Sequence, residues 1–77
     1  MYTQIDPTDR DAVLWLQAAL CRVVGSAFLA HVGDLDSMTR RAIREYQGMR
    51  SLPLTGEADT ATLQQIGQDL EQLDARA

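Results

Sequence analysis

Val13, Leu16, Leu20 and Val24 recur at the three- and four-residue intervals of a helix whose one face is buried. Asp6-Pro7-Thr8-Asp9 precedes them, and the spacing predicts a helix capped by Asp6, with Pro7 at its first position and Gly25-Ser26 as its stop. Thr39, Ala42, Ile43 and Tyr46 form a second such face, ending near Gly48 or Met49, and Leu63, Ile66, Leu70 and Leu73 form a third. Gly67 interrupts the third pattern, which leaves two outcomes open: the helix ends there, or it runs on into the tail. No strand pattern stands out, and the apolar stretch 27–32 reads as a loop folded over the core. The expected fold is all-α: a compact three-helix bundle forming one domain over 1–77, with its core at about 6–66 and a C-terminal tail at 67–77.

Two segments superimpose. Gly33 to Ile43 and Gly56 to Ile66 share Gly-x-x-Asp-x-x-Thr-x-x-x-Ile. Each position has a physical role: the glycines (Gly33, Gly56) permit a tight turn, Asp36 and Asp59 cap a helix, Thr39 and Thr62 sit three residues into it, and the isoleucines open the core face. The chain therefore repeats a turn-then-helix unit. Gln17 and Gln47 lie beside the apolar stripes, where an unpaired amide is costly. Each is expected to pin a neighbouring loop through hydrogen bonds to its backbone.

Composition narrows the chemistry. The single cysteine, Cys21, excludes an intramolecular disulfide, and with His31 as the single histidine the usual zinc constellations cannot form within one chain, so no metal or cofactor is expected. The formal net charge is −4, with seven arginines spread along the chain and no lysine, which argues against nucleic acid as a partner. Neither a basic-then-apolar leader nor an apolar run of bilayer length is present, so the chain as given reads as neither a Sec substrate nor a membrane-inserted protein, and action at the cell envelope requires another export route. No nucleophile, base and orienting group stand together, and the chain is read as no enzyme.

Val13-x-x-Leu16-Gln17-x-x-Leu20, Gly33 to Leu35, Thr39-x-x-Ala42-Ile43-x-x-Tyr46-Gln47, Leu52-Pro53-Leu54-Thr55-Gly56 and Asp59-x-x-Thr62-Leu63 follow one another along the chain. Their order and spacing resemble the peptidoglycan-binding-domain-like family. The likeness spans about residues 12 to 66. It implies a three-helix, non-catalytic module that binds the bacterial cell-wall polymer and that in the family usually tethers a hydrolase or amidase. One turn departs from the family pattern: Val32 to Ser37 replaces Asp-Gly-x-Phe-Gly-Pro, which removes an aromatic platform for sugar stacking and places a better cap, Asp36, before the second helix.

Candidate ligand-binding residues are Trp15, Arg41, Arg44 and Asp34. Trp15, the single tryptophan, falls roughly opposite the core stripe of the first helix, and Leu14, Ala18 and Cys21 widen that helix's apolar arc. That arc is either covered by the 27–32 loop and the C-terminal segment or exposed as a partner surface. Arg41 and Arg44 offer charge-assisted bonds to the carboxylates of cell-wall stem peptides. The alternative function is a protein-binding adaptor of a phage or secretion assembly built on the same fold, using Leu14, Trp15 and the Leu70/Leu73 tail for a partner or for self-association.

Overall fold

The computed structural model describes residues 4–25 and 36–76, and these form three helices: α1 Arg10–Val24, α2 Ser37–Met49 and α3 Thr60–Arg76. The described residues contain no strand, and the fold is an all-α three-helix bundle. None of these helices is long and apolar enough to cross a membrane. His31, Gly33, Asp34 and the 27–32 loop lie outside the described residues.

The predicted apolar faces meet. Leu16, Leu20, Ala42, Ile43, Tyr46, Leu63 and Ile66 are fully buried in one cluster, with Val24, Leu52, Ala58 and Leu70 packed around it. α1 packs against both α2 and α3. Trp15 and Cys21 also pack against this cluster and are half-buried, as is Leu14, while Ala18 is exposed, so the wide apolar arc of α1 is largely spent on the core. α3 continues through Gly67 to Arg76, and its last turns belong to the packed unit: Leu70 joins the core and Asp69 is buried.

The start of α1 differs from the sequence expectation. Asp9 is the cap, accepting from the Ala12 N–H at 3.3 Å, and the helix begins at Arg10. Asp6 is occupied elsewhere: its carboxylate accepts from the Thr8 N–H at 2.9 Å and the Thr8 hydroxyl at 2.7 Å. Its carbonyl accepts from the Asp9 N–H at 2.9 Å, so Asp6 to Asp9 close a turn with Pro7 at the second position, where its fixed φ is favoured. Two acidic residues preceded the stripe, and the turn took the first. At the other end Gly25, in the left-handed region at φ 75°, returns its N–H to the Cys21 carbonyl.

α2 ends in a Schellman arrangement. The Leu52 N–H reaches the Gln47 carbonyl at 2.8 Å and the Ser51 N–H reaches the Gly48 carbonyl at 3.4 Å, which requires Ser51 in the left-handed region at φ 56°. A side chain at such a position is strained, and glycine is the usual occupant. Ser51→Gly is therefore expected to stabilise the domain by about 0.5–1 kcal/mol in urea unfolding, and Ser51→Val to destabilise it.

Candidate functional site

The turn-then-helix repeat is held together by side-chain relays. In the first unit the buried Gln17 amide donates to the Thr39 hydroxyl at 3.0 Å, and that hydroxyl donates to the Asp36 carboxylate at 2.7 Å. The same carboxylate caps α2 by accepting the Thr39 N–H at 2.8 Å. In the second unit the Gln47 amide donates to the Thr62 hydroxyl at 3.0 Å, and Asp59 caps α3 through the Thr62 N–H at 3.0 Å. The structure thus adds one position to the repeat: a buried glutamine on the preceding helix. Gln17 reaches a side chain across the bundle rather than only loop backbone.

Gln47 makes several bonds beyond the one to Thr62. Its Nε2 also faces the Thr55 hydroxyl and the Glu57 carbonyl, each at 3.0 Å, while its Oε1 accepts the buried Gly56 N–H at 3.0 Å. Here the expectation of a glutamine pinning a loop backbone holds. Gly56 sits at φ 71°, and a Cβ there would meet the Arg44 side-chain stem at 3.3 Å. Arg44 therefore lies along the loop, and Arg41 is exposed, paired at 3.5 Å with Glu45 one turn on.

Three residues reach a concavity that the sequence analysis did not anticipate. Beside the end of α2, the Arg50 Nε donates to the Asp69 carboxylate at 2.9 Å, and the buried Tyr46 hydroxyl donates to the same oxygen at 2.5 Å. Gln65 donates to the other oxygen at 3.3 Å. Burial first, and the neighbouring Asp69 second, push the Tyr46 phenol well above its ordinary pKa, and Asp69 likewise raises that of Arg50. Arg50, Asp69 and Gln65 form one wall of a groove of about 390 Å³, completed by Arg22 and Val23 at the end of α1 and by Gln68, Gln72 and Leu73 on α3. Arg22 also pairs with Asp74 at 2.9 Å, an exposed contact worth little by itself. None of Trp15, Arg41 and Arg44 lines the groove, and Asp34 lies outside the described residues.

The decisive comparison concerns the framework that carries this groove. Residues 9–66 match the family model described as "Putative peptidoglycan binding domain". The chain belongs to this family. The matched span contains both relays, from the Asp9 cap to Ile66, and the groove's α3 wall extends from Gln65 beyond its end. Searches of curated proteins and of solved structures found no match.

Two pH dependences follow. Hydrogen bonds from Thr39 to Asp36 and from Thr62 to Asp59 hold both carboxyls below the ordinary aspartate range. A depressed folded pKa contributes stability above the unfolded value of about 4 and loses it as pH falls through the folded value. The urea midpoint should accordingly drop in acid, and Asp36→Asn with Asp59→Asn should flatten that drop while keeping both caps. Tyr46 has the opposite sign: its raised pKa contributes stability that is full below about 10 and is lost as pH rises towards the folded value. In a Tyr2→Phe variant, tyrosinate absorbance should show Tyr46 ionising only with alkaline unfolding.

Proposed function

We propose that this domain is a non-catalytic module that binds peptidoglycan. The observation that carries the proposal is the family match over residues 9–66, on a fold in which Asp69 and Asp59 beside the two concavities serve as structural acceptors. Asp69, the carboxylate of the larger groove, already accepts from Tyr46, Arg50 and Gln65. A carboxylate committed to three donors is poorly placed to take a proton from a substrate. Asp59, beside a smaller concavity near Ile5, Pro7 and Arg40, caps α3. The groove offers hydrogen-bonding and charged groups for holding a ligand, and its described lining residues include no serine, cysteine or histidine.

A protein-binding role is the second reading, favoured by a specific patch. Met49 and Leu54 are 56% and 64% exposed, and Leu54 lies over Gly48, which brings both residues to the end of α2. This location differs from the surface expected from sequence. Trp15 and Leu70 pack against the core, and Leu73 lines the groove.

Co-sedimentation with purified sacculi separates the two. The expected result is saturable pelleting, a monomeric mass by light scattering, and no release of soluble wall fragments on prolonged incubation. Absence of pelleting would favour the protein-binding reading, and release of fragments would contradict a non-catalytic module.

A further inference from the structure

We infer that the groove between the ends of α1 and α2 and the second half of α3 binds the peptide portion of the wall polymer rather than its glycan. This inference rests on the cell-wall-binding proposal and names the part of the ligand that the groove takes. At about 390 Å³ the groove lies within the size range of ligand sites. Gln65, Gln68 and Gln72 stand three and four residues apart on α3, so their amides form a row along it. Each amide supplies both a donor and an acceptor, the pairing that peptide groups require.

The charges at the ends of this row fit the same ligand. Arg50 uses its Nε on Asp69, and Arg22 uses one terminal nitrogen on Asp74. A guanidinium has five N–H donors in a planar fork, so each retains donors suited to a carboxylate. Stem peptides carry free carboxylates and small methyl side chains, and Val23 and Leu73 provide apolar contact for the latter. Among the described residues the groove's lining includes no aromatic ring on which a sugar could stack, and Trp15 packs against the core elsewhere.

The test uses two soluble probes and one variant of the full chain. A synthetic Ala- and Glu-containing stem peptide and an N-acetylglucosamine oligomer are each titrated against the protein, with backbone and Gln side-chain amide NMR shifts recorded. In parallel, Gln68→Glu/Gln72→Glu is compared with the wild type in sacculus pelleting. Both positions are exposed, and glutamate is as good a helix former as glutamine, so thermal unfolding should confirm an intact fold. The peptide should shift the Gln65, Gln68 and Gln72 amides and the oligomer should not. The variant should pellet about tenfold more weakly, because two acceptor-only carboxylates replace amides facing an anionic ligand. Undiminished pelleting of the variant, or shifts caused by the oligomer alone, would overturn the groove assignment and leave wall binding standing. Failure of the wild type to pellet would instead remove the cell-wall proposal, and this inference with it.

Discussion

A buried side-chain amide on one helix that grips the first turn of the next is the interaction on which this bundle depends. A glutamine inside an apolar interface costs free energy unless its donors and acceptor are all met. Gln47 meets that demand with Thr55, Gly56, Glu57 and Thr62, and in doing so fixes the loop, its glycine turn and the start of α3 together. Gln17 does the corresponding work for α2 through Thr39. Because both threonines also engage the capping aspartates, helix initiation and helix packing are one event at each junction. In a chain of 77 residues, where apolar burial is limited, such shared bonds set the geometry that the small core then fills.

The two sides of the bundle are joined by different physics. α1 docks on α2 and α3 chiefly through Leu16, Leu20 and their apolar neighbours. α2 and α3, whose apolar residues share the same cluster, add polar bonds at both ends: Gln47 to Thr62 at one, Tyr46 and Arg50 to Asp69 at the other. Directional bonds fix orientation more sharply than apolar contact does. They hold the Arg50 guanidinium and the amide row of α3 on a common wall, which is what a site built on short elements needs in order to present its groups in register.

Much of this was legible in the chain. The stripes led to the buried residues of all three helices, and the Gly-x-x-Asp-x-x-Thr spacing led to Asp36, Thr39, Asp59 and Thr62 as caps and partners. Two things were not. Asp6 and Asp9 both precede the first stripe, and only the competing turn at Thr8 decides between them. The groove draws on the ends of three helices, with Asp69 and Gln72 beyond Gly67 in a stretch that local propensity marks as a tail. Its residues share no sequence period with Arg22 or Arg50, so only the assembled bundle brings them together. The arginines that did stand out by sequence, Arg41 and Arg44, serve an exposed helical pair and the cover of Gly56.

Hydrogen exchange at one loop amide tests the glutamine relay most directly. Gly56 is outside any helix, yet its N–H is buried against the side-chain Oε1 of Gln47. If the glutamine relay organises the fold, that N–H and the Gln47 side-chain amide exchange only through global unfolding, with protection equal to that of the Ile43 and Ile66 backbone amides. Exchange of Gly56 at the rate of an ordinary surface loop, while the helices stay protected, would contradict it.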